Sequence, residues 1–228
     1  MANISSAFGT LDFKGTWNKS LFEKFISIFN KHLNDKVGDY YLIIDNENFE
    51  KGEANIRGIG RWTFENNLSL MNNWALNSFN YSTQTKEECE SEWENLLKEV
   101  HEKELIIEID YVDEESGLEY LVSNAGIIDV QETDEGLKLV YELMDSDEYE
   151  YNRSNLIALD IYDEEDFEVQ LKDIKETLLE DYKLIYRNDK EHECKKLTQA
   201  QEDEIEKVLD DNPWAGDVED ILVEIDWL

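Results

Sequence analysis

A dense run of potential ligand atoms in the 228-residue chain is Asp145-Ser146-Asp147-Glu148-Tyr149-Glu150, whose first carboxylates match the start of a twelve-residue calcium loop. Such a loop needs glycine at its sixth position for a sharp turn and a bidentate glutamate at its twelfth. Glu150 and Leu156 stand there instead, so the pattern fails and a solvated acidic segment is the expectation. His192-Glu193-Cys194 sets two soft ligands two residues apart, but zinc takes four ligands and no second pair follows at metal-binding spacing. No metal and no other cofactor is expected. Nucleophile elbow, P-loop and His-Glu-x-x-His motifs are missing from the sequence, and only His32, His101 and His192 are available as imidazole bases. Among 56 carboxylates, a pair at glycosidase spacing arises by chance, so the chain does not read as an enzyme.

What carboxylates do without chemistry is bind cations. Three groups are candidates for contact with a partner: Glu87, Glu88, Glu90, Glu92 and Glu94 on one helix; Asp145, Asp147, Glu148 and Glu150 in a loop; and Glu164, Glu165, Asp166 and Glu168 at the next helix start. Tyr149 and Tyr151, interleaved with the second group, offer stacking or hydrogen bonds to arginine. The charge is segregated: residues 1–85 hold nine Asp/Glu against eight Lys/Arg, leaving 47 against 13 in the remainder of a chain whose net charge is −35. A one-sided field of this size steers cationic partners and repels nucleic acid and anionic membranes.

Acidity of this kind also occurs in disordered tails, yet 41% hydrophobic and 11% aromatic residues, regularly interleaved with the acids, are enough for a core. Halophilic adaptation is another source of acidity, but 17 Lys against 4 Arg and abundant Asn and Ile point to an AT-rich genome. Cys89 and Cys194 are far apart and fit no disulfide framework, which favours a reducing compartment. The first residues lack a basic region before an apolar run, and no stretch approaches the ~18 apolar residues of a spanning helix, so a cytoplasmic protein is expected.

The elements that must carry these groups can be read from period and punctuation. Residues 6–13 read as a strand, and Ser20-Leu21-Phe22-Glu23 as a capping box opening a helix with Phe22, Phe25, Ile26, Phe29 and Leu33 on one face. Tyr40–Asp45 and Ala54–Phe64 follow as strands, the second with Gly58 and Gly60 as a possible bulge, giving β-α-β-β, half of a ferredoxin-like split βαβ unit. Periodicity leaves residues 66–85 open between helix and loop. Thr85-Lys86-Glu87-Glu88 is a second capping box, opening a helix that buries Cys89, Trp93, Leu96, Leu97 and Val100. Leu105–Val112, Leu118–Val122, Ile127–Val130, Leu137–Leu143 and Leu156–Tyr162 read as a meander with one wet face, jointed at Gly117, at Asn124-Ala125-Gly126 and at Asp134-Glu135-Gly136. A helix is expected after Asp163, with Phe167, Leu171, Ile174 and Leu178 inward, another from Thr198 toward Leu209, and a helix or strand over 217–228. The whole is an α+β protein of antiparallel sheets with helices packed on one face, divided near residue 85 into a near-neutral, ferredoxin-like part (1–85) and a strongly acidic α+β part (86–228).

In acidity, size and lack of catalytic motifs, residues 86–228 resemble the DNA-mimic inhibitors of phages and mobile elements, the anti-CRISPR and anti-restriction proteins. The resemblance implies a non-enzymatic inhibitor that occludes the basic nucleic-acid site of a defence nuclease, in the cytoplasm of the host cell if phage-encoded, with no direct contact to nucleic acid or membrane. Two alternatives stand beside it. One is an immunity or antitoxin protein that neutralises a single basic toxin through a few anchor residues. The other is a ligand-binding N-terminal module, with Arg57, Arg61 and Trp62 as its surface and the acidic part as scaffold.

Overall fold

In a computed structural model of the chain, residues 4–33, 40–72, 85–115, 118, 120–169, 172–173 and 199–211 are described. They fall into two compact units, Met1–Tyr149 and Glu150–Leu228.

Among the described residues, the first unit has six strands and three helices. In chain order they are β1 (Ile4–Lys14), α1 (Lys19–Leu33), β2 (Tyr40–Asn48), β3 (Glu53–Arg61), α2 (Phe64–Ser69), α3 (Lys86–Glu102), β4 (Ile106–Glu115), β5 (Tyr120–Thr133) and β6 (Gly136–Glu148). The strands form one sheet in the order β2-β3-β1-β4-β5-β6, every neighbouring pair antiparallel. Each crossover passes one intervening strand: β1-α1-β2 steps over β3, and β3-α2-α3-β4 steps over β1. Two interleaved split βαβ units of this kind make the ferredoxin-like arrangement, here extended by the β5-β6 meander.

That topology overturns the boundary expected near residue 85. The fourth strand of the ferredoxin-like sheet is β4, and β1 pairs with it from Ser6↔Glu114 to Lys14↔Ile106. The near-neutral part and the first stretch of the acidic part therefore share one sheet and one core, and the units divide between Tyr149 and Glu150.

Alternation explains the layering. Ala7, Leu11 and Phe13 of β1 and Ile107, Ile109 and Tyr111 of β4 point to one side, where α1 adds Phe22, Phe25 and Phe29, α2 adds Phe64 and Leu68, and α3 adds Trp93, Leu96, Leu97 and Val100. The rings of Phe13 and Phe22 meet edge-on with centroids 4.6 Å apart, and burying each such side chain contributes about 1.5–3 kcal/mol. Helices α1, α2 and α3 feed this core, and the opposite face of the sheet carries the intervening positions.

Local geometry departs from several expectations. The cap of α1 is Asn18, whose Oδ1 accepts from the Leu21 N–H at 3.0 Å, rather than Ser20. The capping box at Thr85 is present with both of its hydrogen bonds. Residues 120–133 form a single strand where two were expected, because Asn124 and Gly126 serve packing rather than a turn. A Cβ on Gly126 would lie 2.5 Å from the Tyr141 ring, and the Asn124 amide donates to the Tyr111 hydroxyl at 3.0 Å. Gly58 and Gly60 sit in unbroken register with β1, while the register shifts lie at Asp45/Asn48 and at Ala125/Gly126.

Both outer edge strands receive the same kind of side-chain contact. Asn30 of α1 bonds the Ile44 N–H and C=O on β2, and Asn72 bonds the Leu139 N–H and C=O on β6.

In the second unit, residues 156–158, the start of the strand expected over Leu156–Tyr162, lie instead in helix α4 (Arg153–Ala158). Asn152 decides this: its side chain accepts from the Asn155 N–H, satisfying a first-turn donor as a helix cap does. Residues 164–169 are helical, opened by Asp163 and Asp166, which exchange side-chain-to-backbone hydrogen bonds at 2.9 and 3.0 Å. Helix α5 (Gln199–Asp211) buries Ile205. The expectations at Leu171, Ile174, Leu178, Thr198 and 217–228, like those at His192 and Cys194, lie outside the described residues. Among the described residues no helix is long and apolar enough to cross a membrane.

Candidate functional site

The sheet register converts the sequence alternation into rows of side chains on the face away from the helices. One row runs Asp45, Asn55, Thr10, Asp110, Ala125, Asp145 across all six strands; the next runs Ile43, Arg57, Phe8, Val112, Ser123, Asp147. A third passes through Asp12, Glu108, Ile127 and Glu142. Along a strand, same-face carboxylates such as Asp145 and Asp147 stand about 7 Å apart, and neighbouring strands are about 4.8 Å apart. The β4-to-β6 half of this face thus holds a lattice of carboxylates set among neutral side chains such as Val112, Ser123, Ala125 and Ile127, with Glu108 paired to Lys14 at 3.2 Å.

Asp145 and Asp147 were expected in a loop and lie instead within β6. The strand continues because Tyr149 still donates its N–H to the Leu121 carbonyl at 2.9 Å. Both residues project from the same face as Asp110. Glu148 pairs with Val122 and by alternation belongs to the other face. Glu108, Asp110 and Glu142 were not among the expected contact residues. The signal for them was present as the charged positions of Ile-Glu-Ile-Asp-Tyr and Leu-Val-Tyr-Glu-Leu, read as a wet face without asking which sign that face carries.

The other expected groups lie elsewhere. Glu87 and Glu94 are exposed on α3, Glu90 and Glu92 are half-buried, and Glu88 is engaged in the capping box, accepting from the Thr85 N–H at 2.8 Å. In the second unit Glu150, Glu164, Glu165, Asp166 and Glu168 are exposed. Glu164 is held by Arg153 at 2.6 Å, and Asp166 is tied into its helix cap. Tyr149 is half-buried, and Tyr151 is only 6% exposed. Tyr151 is therefore corrected from a stacking surface to a packed side chain, which follows from its place at the entry to α4, where an apolar ring helps fill a small core.

A second feature of the same sheet face is apolar. Phe8 in the middle of β1 is 37% exposed, and Ile59 on β3 is 53% exposed beside it. Arg57, directly across from Phe8, reaches Asp45 at 2.6 Å. Trp62, just past β3, is 63% exposed with a left-handed φ of 67°. The residues Arg57, Arg61 and Trp62, considered above for a ligand surface, are thus outward or solvent-facing. They cannot belong to a module separable at residue 85.

The acids at the end of β4 behave differently from the surface ones. Asp113 is 1% exposed on the core side, where its carboxylate accepts from Ser5 Oγ and from the Phe64 N–H, both at 2.6 Å. Burial pushes its pKa up to about 6 despite those two hydrogen bonds, with Glu115 and Glu114 adding repulsion. Asp113 is a structural strut between β1, β4 and the start of α2. No group of three or more His, Cys, Asp or Glu among the described residues is arranged to hold a metal ion.

No protein-family model, curated protein or solved structure matches this chain.

Proposed function

We propose that this protein is a non-enzymatic acidic inhibitor that occupies a basic nucleic-acid-binding site, such as that of a bacterial defence nuclease, and so excludes the nucleic acid. The observation that carries the proposal is the carboxylate lattice on β4 to β6, with Asp110, Glu142, Asp145 and Asp147 held at fixed spacing by strand register. Proteins that grip duplex DNA line their channels with Lys and Arg to meet one negative charge per roughly 1.7 Å of axis. Carboxylates fixed on a sheet meet such a channel without the ordering cost that a floppy acidic tail incurs.

Capture of partners from a nuclease-treated bacterial lysate, at low and at high salt, tests the proposal. Basic nucleic-acid enzymes should be retained at low salt, leave at high salt, and be displaced by duplex DNA. Retention only of acidic or neutral proteins, or failure of DNA to compete, would count against it.

A second reading has its own observation. Exposed Phe8, Ile59 and Trp62 are the aromatic and aliphatic type of side chain that dominates tight, anchored interfaces. They favour an immunity or antitoxin protein that neutralises one basic toxin, in which case a single captured protein survives the high-salt wash.

A further inference from the structure

We infer that the basic partner docks on the sheet face opposite α1, α2 and α3 through a groove centred on Phe8, with an arginine-bearing segment laid across β1 and β4. Its apolar side rests on Phe8 and Ile59, and its cations face Asp110 and the Asp145–Asp147 row. This inference rests on the reading above that the partner is a basic protein, and goes beyond it in naming the surface.

Three observations converge on this place. A groove of about 560 Å³ crosses the face, lined among others by Phe8, Thr10, Asn55, Asp110 and Ser123. A neighbouring hollow of about 470 Å³ shares Phe8 and Arg57 and extends it to Tyr41 and Ile59. Large apolar groups gathered in such a concavity, rather than scattered over a surface, mark an interaction site. The strand's own sequence points the same way. The other outward positions of β1 are Ile4, Ser6, Thr10, Asp12 and Lys14, so Phe8 is a large half-exposed ring flanked on its own strand by the polar Ser6 and Thr10.

Charge selects the occupant. The groove contains Asp45 and Asp110 against one cation, Arg57, whose guanidinium is already 2.6 Å from Asp45. One strand beyond its Ser123 margin stands Asp147, with Asp145 next to it on the same face of β6. A nucleic-acid strand stacking on Phe8 would bring phosphates against these carboxylates, whereas a guanidinium can stack on the ring and pair with Asp110. Arginine, planar and weakly hydrated, suits a site that is half apolar and half acidic better than lysine does.

The probe is a synthetic 16-residue amphipathic helix with leucine on one side and arginine on the other, titrated into the full-length 15N-labelled protein. The largest amide shifts should fall at Phe8, Thr10, Asp110 and Ser123. Phe8→Ala and Asp110→Asn should each weaken the peptide at least fivefold, Phe8→Tyr should not, and Glu87→Gln/Glu94→Gln on α3 should change it less than twofold. In 0.5 M NaCl the Phe8→Ala effect should persist while that of Asp110→Asn fades. Shifts centred on α3 or on residues 164–168, or equal losses from every acid neutralised, would overturn the inference. So would sedimentation showing that the free protein is already a dimer closed over Phe8. Phe8→Ala is also taken through the lysate capture. Loss of a basic partner that the wild type retains supports the site, and unchanged retention overturns it. Absence of any basic partner with the wild type is failure of the functional reading above, whatever the peptide does.

Discussion

Asn30 on α1 grips Ile44 on β2 from the open side of the strand, its Oδ1 accepting from the Ile44 N–H at 2.7 Å and its Nδ2 donating to the Ile44 carbonyl at 2.6 Å. A carboxamide presents the same donor and acceptor pair as a peptide unit, so the side chain stands where another strand would pair. Asn72 does the same for Leu139 on β6, at the far edge. Unpaired strand edges are templates for association with another chain, and folded proteins blunt them.

The first prediction follows from this pairing. Asn30→Ala and Asn72→Ala should each lower stability by about 1–3 kcal/mol, the cost of leaving half-buried backbone groups unsatisfied. The double variant should also self-associate at concentrations where the wild type is monodisperse. Urea denaturation and light scattering test the two parts, and a double variant as stable and as well dispersed as the wild type would refute this role.

Gly9 gives a second prediction. A Cβ there would meet the Asp110 carbonyl oxygen at 2.1 Å and Tyr111 Cβ at 2.6 Å, both fixed by the β1–β4 ladder. Because the nearest atom is backbone, nothing short of shifting a strand relieves the clash. Gly9→Ala should cost roughly 1–3 kcal/mol or more, measured by thermal unfolding, and should disturb amide shifts along both strands.

Asp113 supplies a pH dependence. Its folded pKa of about 6 lies above the ordinary value of 3.8, so the folded state binds this proton more tightly than the unfolded chain. Its stabilising contribution is therefore full below pH 3.8 and is lost as pH rises through about 6, up to about 3 kcal/mol in all. Asp113→Asn keeps an oxygen for the Phe64 N–H and offers an amide to Ser5 Oγ. The variant should match or exceed wild-type stability at pH 7.5 and lose that advantage toward pH 4. Urea titrations of both proteins across this range decide the matter, and an advantage that grows on acidification would contradict it.

The acidic lattice gives a fourth prediction. Neutralising Asp110, Asp145 and Asp147 together to Asn should slow association with a captured basic partner about tenfold or more at low ionic strength and little at high salt, with stability unchanged or raised. Stopped-flow rates at two salt concentrations measure it. A rate insensitive to these changes would shift the weight to anchored recognition.

Sequence and structure agree where the period was strong and disagree where a residue type had two uses. The apolar stripe of Phe22, Phe25, Ile26 and Phe29 and the Thr85 capping box each permitted one reading, and both elements are present. Asn124 and Gly126 are ordinary turn residues, and only their tertiary neighbours Tyr111 and Tyr141 show why they sit in mid-strand. Leu156-Ile157-Ala158 is too short for its period to decide between strand and helix, so the Asn152 cap decided it. The acids of the candidate surface were visible as composition. That Asp110, Asp145 and Asp147 share one face depends on register across three strands and on the shift at Ala125/Gly126. Local patterning does not contain that information.

The central place of β1 has a consequence for the chain as it leaves the ribosome. Its two neighbours are β3 and β4, so the first strand made cannot complete its pairing until the residues of β4, up to Glu115, have emerged. Until then one side of Ile4–Lys14 is an open template carrying Phe8, Leu11 and Phe13. During that interval the nascent chain depends on delay and dilution, or on a chaperone, to stay unpaired. A gene shortened to stop before β4 would make the interval permanent, and its product should accumulate in inclusion bodies rather than as a small folded domain.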